Sequence, residues 1–119
     1  MTTHNSTLFN GYTQILIDGI EFHILTKLVQ NPQILTYGDS CDYPYPPNTH
    51  RITYSEAITL LKSNVLSELH PTIVIPDYVL SWIDTGDAIV YNAIDKTWYI
   101  QSDVCGLGIK APCILVKNA

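Results

Sequence analysis

A chain of 119 residues, 46% of them hydrophobic, has the size and composition of one globular domain that needs neither disulfides nor a metal to fold. The net charge is −5 and the six Lys and Arg residues stand singly along the chain, with Arg51 the one arginine, which excludes generic binding to a phosphate backbone. Charged residues make up only 14%, against about 25% in a typical domain, so little electrostatic repulsion separates two copies and a homo-oligomer is expected; the competing explanation is a polar surface of Thr, Ser, Asn and Tyr.

Residues 1–10 read as a poorly ordered N-terminal arm of the single domain 1–119. They lack the basic start and apolar stretch of a signal peptide, and no apolar run reaches the ~20 residues of a membrane helix. Cys41, Cys105 and Cys113 are an odd number with no Cys-x-x-Cys pair, so a disulfide framework is not expected. Together these features point to a soluble protein of a reducing compartment, the cytoplasm, with no membrane partner.

The first predicted elements are two strands around Asp18-Gly19, the dipeptide that suits a tight hairpin turn with positive φ at both central residues. Ile20, Phe22 and Ile24 then share one face of the second strand, with Glu21 and His23 on the other. Ile34 to Tyr37 reads as a short third strand. Residues 38–50, Gly38-Asp39-Ser40-Cys41-Asp42-Tyr43-Pro44-Tyr45-Pro46-Pro47-Asn48-Thr49-His50, contain three prolines and a glycine and read as a long loop without helix. Thr53-Tyr54-Ser55-Glu56 is a capping box that opens a helix with Ala57, Ile58, Leu60 and Leu61 on its apolar face, ending near Asn64. Val65 to Leu69 adds a further turn. Thr72 to Ile75 reads as a buried strand, residues 77–83 as a short helix and Asp84-Thr85-Gly86-Asp87 as a turn. Ala88–Tyr91 and Thr97–Gln101 form a hairpin across a longer loop, and Ala111–Val116 is the last strand. The fold class that follows is α+β: a mainly antiparallel sheet of six to eight short strands with one or two helices on one face.

Candidate functional residues concentrate in the proline-rich loop. Tyr43 and Tyr45 flank Pro44 and, in an extended backbone, point the same way on a stiffened segment, a surface suited to stacking on a base or filling a groove in a protein. The competing reading folds both rings over the core. His50 and Arg51 close the loop and complete the candidate binding set. Asp39, Cys41, Asp42 and His50 match no known metal-ligand spacing, and neither a metal nor a cofactor is expected. Gly106-Leu107-Gly108 lacks the following helix of a phosphate loop. His70, at a junction between elements, is placed to act as a general acid or base near neutral pH, or to cap the preceding carbonyls.

Residues 51–70, Arg51-Ile52-Thr53-Tyr54-Ser55-Glu56-Ala57-Ile58-Thr59-Leu60-Leu61-Lys62-Ser63-Asn64-Val65-Leu66-Ser67-Glu68-Leu69-His70, resemble a segment of the small viral ring nucleases that serve as type III anti-CRISPR proteins. In that family a strand ending in Ile-Thr or Ile-Ser leads into a helix with Glu-Ala and Leu-Leu. A serine then precedes the histidine that acts on cyclic oligoadenylate. The resemblance implies that catalytic role for His70 alone. The sequence departs from the family at Leu69, where a glycine is usual, and at Thr72–Pro76, where a helix is usual. Gly86-Asp87-Ala88-Ile89-Val90-Tyr91, continuing through Trp98-Tyr99-Ile100-Gln101-Ser102-Asp103, is similar to short phage proteins of unassigned role.

The reading that follows is a non-enzymatic binding protein of phage or mobile-element origin. It would inhibit a host defence system by binding a defence protein or its cyclic-nucleotide signal in the host cytoplasm. One alternative is a ring-nuclease-like enzyme that uses His70 to cleave a cyclic oligonucleotide. Another is an immunity or antitoxin-like protein inhibitor, which the acidic balance permits.

Overall fold

A computed structural model gives the structure, which describes residues 3–5 (backbone only), 11–27, 34–68, 79–102, 104 and 108–119. The fold is α+β, with two antiparallel sheets and three short helices among the described residues. The first sheet contains β1 (Thr3–Asn5), β2 (Tyr12–Ile17), β3 (Ile20–Leu25), β4 (Thr49–Arg51) and β8 (Leu115–Lys117), in the order β1-β2-β3-β8-β4. The second contains β5 (Val79–Trp82), β6 (Ala88–Asn92) and β7 (Thr97–Gln101), in sequence order. The helices are α1 (Tyr37–Asp42), α2 (Tyr54–Lys62) and α3 (Val65–Glu68).

The turn between β2 and β3 has φ of 50° at Asp18 and 79° at Gly19, the backbone that the Asp-Gly pair was expected to adopt. The hairpin register follows, with Ile17 opposite Ile20 and Ile15 opposite Phe22. The capping box of α2 forms as read: Thr53 Oγ1 accepts from the Glu56 backbone N–H, and Glu56 accepts from that of Thr53. Asp84 adds a third acceptor, for the Tyr54 N–H at 3.0 Å. At the other end Ser63 is the C-cap and Asn64, at φ 61°, turns the chain out of the helix in the left-handed conformation.

Two cores result. Ile15, Phe22, Ile24, Ile52, Leu60, Ile89 and Val116 belong to one, beneath α2 and α3. Val79, Trp82, Val90, Cys113 and Leu115 belong to the other, where Tyr37 and Tyr45 pack from outside. Alternate residues of β6 divide between them, Ile89 going to the first and Ala88 and Val90 to the second. The segment before β8 stitches the sheets together. Trp82 donates its backbone N–H to Pro112 O, Ile52 to Ile114 O, and Ile114 to the buried Ser81 Oγ at 2.7 Å.

Four local expectations are corrected. The proline-rich segment does contain a helix, α1, capped by Thr36, whose hydroxyl accepts from the Asp39 N–H. Its three prolines begin only at Pro44, beyond the C-cap Tyr43, so they end the helix rather than forbid it. Residues 79–82, expected in a helix, form β5 with all four side chains buried. A strand covered on both faces shows no two-residue alternation, which is why it reads like a helix. Ile34 to Tyr37 is not a strand: Leu35 makes a single bridge to Ala111, and Tyr37 already belongs to α1. The last strand begins at Leu115, because Pro112 cannot donate to a ladder. The strand expected at Thr72–Ile75 lies outside the described residues.

Candidate functional site

Within the proline-rich segment Ser40 is buried and Tyr43, Tyr45, Pro46, Thr49 and His50 are partly buried, while Asp39, Cys41, Asp42, Pro44, Pro47 and Asn48 are exposed. Tyr45 is half-buried, packs on the second core and donates its hydroxyl to Ser40 O at 2.6 Å. Burial, then the neighbouring Cys113, pushes its phenol well above the usual range. Tyr43 and Tyr45 do point together, with ring centroids 5.1 Å apart and planes inclined by 57°. Pro46 O accepts from the Thr49 N–H across a turn in which Pro47 fixes φ and Asn48 adopts φ 64°. The loop is stiff, but it is stiff against its own sheet.

Arg51 is equally committed. Its guanidinium lies 5.0 Å from the centroid of the Tyr37 ring and donates to Ser40 Oγ at 2.7 Å and Cys41 Sγ at 3.4 Å. Tyr37 in turn donates to Asp84 O at 2.8 Å. This cluster ties α1 to β4 and to the turn after β5. Arginine suits it because a planar cation can stack on a ring and still direct its N–H groups sideways.

His50 faces the opposite side of β4. Its Nδ1 lies 2.6 Å from Asn118 Oδ1, and its Nε2 lies 2.9 and 3.0 Å from the two oxygens of Glu56. Two acceptors on two ring nitrogens favour the doubly protonated imidazolium. Burial alone would lower its pKa, but the bonds from Asn118 and Glu56, with the charges of Glu56 and Asp84, outweigh it and leave the pKa raised. Beside this pair is an open cavity of about 320 Å³ lined by Leu16, Glu21, His50, Glu56, Lys117 and Asn118. Glu21 is itself paired with His23 at 2.6 Å. Among the described residues no three His, Cys, Asp or Glu side chains converge on a metal position. His70 and Cys105 lie outside the described residues.

Among the described residues the most exposed large apolar side chain is one to which the sequence reading gave no role. Ile94, 93% exposed, occupies the tip of the β6–β7 hairpin. Its turn is closed locally: Asn92 Oδ1 accepts from the N–H groups of Ile94 at 2.9 Å and Asp95 at 3.2 Å, and Lys96 leaves the turn at φ 55°. Behind the tip, Tyr91 and Trp98 pack with centroids 4.9 Å apart. Trp98 Nε1 donates to Leu66 O at 3.1 Å, fixing the hairpin to α3. Two shallow grooves of about 220 and 160 Å³ share Leu66, Ser67, Lys96 and Trp98. The signal in the sequence was an isoleucine at the centre of Asn92-Ala93-Ile94-Asp95-Lys96, where turn chemistry alone calls for polar residues.

No protein-family model, no curated protein and no solved structure matches this chain.

Proposed function

We propose that this chain is a small binding protein that inhibits a host defence system by gripping a defence protein, with Ile94 at the tip of the β6–β7 hairpin as its anchor. A single exposed apolar residue is ordinary on a soluble surface. What supports a role here is the combination of 93% exposure with a backbone already fixed by Asn92, so that little entropy remains to be lost when the side chain enters a pocket. The polar candidates Arg51, His50 and Tyr45 are by contrast occupied by neighbours within the fold. Action inside a host cell, and a phage or mobile-element origin, belong to the same proposal.

A second reading, binding of the nucleotide signal itself, is favoured by the grooves in which Lys96 and Ser67 lie beside the indole of Trp98: a cation, a hydroxyl and an aromatic face. The experiment that separates the readings is titration of the purified chain with cyclic oligoadenylates by calorimetry, followed by chromatography of the nucleotide. The protein-binding account expects no heat and unchanged nucleotide. Saturable binding would favour the second reading, and conversion abolished by His70→Ala would establish the ring-nuclease alternative. The anti-defence role is tested by expressing the chain in bacteria that carry a defence system. Phage should then plate at least tenfold more efficiently in at least one such strain, and no gain in any strain would refute the role.

A further inference from the structure

β7 is the outer strand of the three-stranded sheet, and among the described residues no strand pairs with its outer edge. Thr97, Tyr99 and Gln101 are exposed along it, and Trp98 and Ile100 are half-buried on the other face. Free edges are ordinarily protected by a charge, a proline or a bulge. Thr97-Trp98-Tyr99-Ile100-Gln101 has none of these, and it pairs with β6 in unbroken register.

The geometry points to a second copy of this chain as the occupant of that edge: we propose a two-fold dimer in which β7 pairs antiparallel with β7, Tyr99 opposite Tyr99. The period of two restricts the choice, because residues facing each other across a continuous sheet must lie on the same face. Only even shifts of register therefore qualify. With Tyr99 at the axis, Trp98 meets Ile100 of the other copy, Thr97 meets Gln101, and Lys96 meets Ser102. Over residues 96–102 apolar faces apolar, polar faces polar, and no charge opposes a like charge; one position further out the same register sets Asp95 against Asp103. Moving the axis to Trp98 sets Lys96 against Ile100. Moving it to Ile100 sets Trp98 against Ser102. The strand is thus self-complementary in one register, which is what an isologous contact demands. The scarcity of charge on the whole chain, 14%, removes the usual opposition to such pairing. This inference stands independently of any role for Ile94.

Light scattering at micromolar concentration should give twice the 13.3 kDa chain mass. Tyr99→Lys and Tyr99→Glu should each weaken the dimer at least tenfold, since each places two like charges face to face at the axis. An equal mixture of the two variants should restore a dimer of mixed composition, visible by native mass spectrometry. Hydrogen exchange on the unaltered protein supplies a check that needs no variant: amides of residues 97–101 should gain protection as concentration rises. A wild-type mass of one chain, dimers unaffected by Tyr99→Lys, or exchange at 97–101 independent of concentration would each overturn the proposal.

Discussion

His50 shows how a polar residue at the end of a loop becomes a latch. It joins β4 to Glu56 on the next element, α2, and to Asn118 after β8, 68 residues away. Its raised pKa means that the folded state holds a proton more tightly than the unfolded chain. The stabilisation is therefore complete below the unfolded value of about 6.5 and fades as the pH climbs through the higher folded value. Urea unfolding of wild type and His50→Gln should show wild type favoured by up to ~1 kcal/mol near pH 5.5, a pair still partly open to solvent giving no more. That gap should shrink by about pH 9; one that widens instead would contradict the latch. Tyr43 and Tyr45 separate along the same lines of contact. Tyr45→Ala should cost about 3 kcal/mol, removing both a ring packed on a core and a hydrogen bond, whereas Tyr43→Ala should cost less than about 1 kcal/mol. Equal losses in denaturant unfolding would mean that Tyr45 is no more part of the core than its neighbour. At this scale the sequence placed Tyr43, Tyr45, His50 and Arg51 within nine residues of one another, but did not convey which way each faces: His50 turns to Glu56 and Asn118, and Arg51 to Ser40 and Tyr37. A proline-rich segment constrains φ, while the partners Cys113 and Asn118 are brought in by chain pairing that no local pattern encodes.

Among elements, those with local signals were legible and those governed by distant contacts were not. The Asp18-Gly19 turn, the Thr53–Glu56 capping box and the β6–β7 hairpin each rest on a few adjacent residues, and each forms as read. β5 is a strand because four successive side chains are buried within the fold, a fact absent from residues 79–82 themselves. α1 forms because Thr36 caps it and the prolines fall after its end. The β6–β7 turn belongs to the legible group, and its stiffness can be measured. Asn92→Ala removes the acceptor for two backbone N–H groups and should lower stability by about 1 kcal/mol. Amides at residues 94 and 95 should then exchange faster while those of α2 are unchanged. Unaltered exchange at the tip would show that Asn92 does not hold it.

For the whole molecule, composition and periodicity reached the α+β class and its antiparallel pairing. They did not reach the division into two sheets or the two cores that share β6. That division depends on Ser81, Ile52, Pro112 and Ile114 meeting across long stretches of chain. The candidate site moved for a related reason. Tyr45, His50 and Arg51, chosen by type, are held by neighbours within the fold. The large apolar residue most exposed among those described, Ile94, is of a type normally assigned to cores. Because it touches so little of its own protein, Ile94→Asp should leave the melting temperature within about 1 °C of wild type, in keeping with the small effects of exposed substitutions. The direct measurement is phage plating efficiency in defence-bearing cells that express wild type or Ile94→Asp at equal levels. The account predicts a gain with wild type that falls at least tenfold with the variant, and an undiminished gain with Ile94→Asp would contradict it.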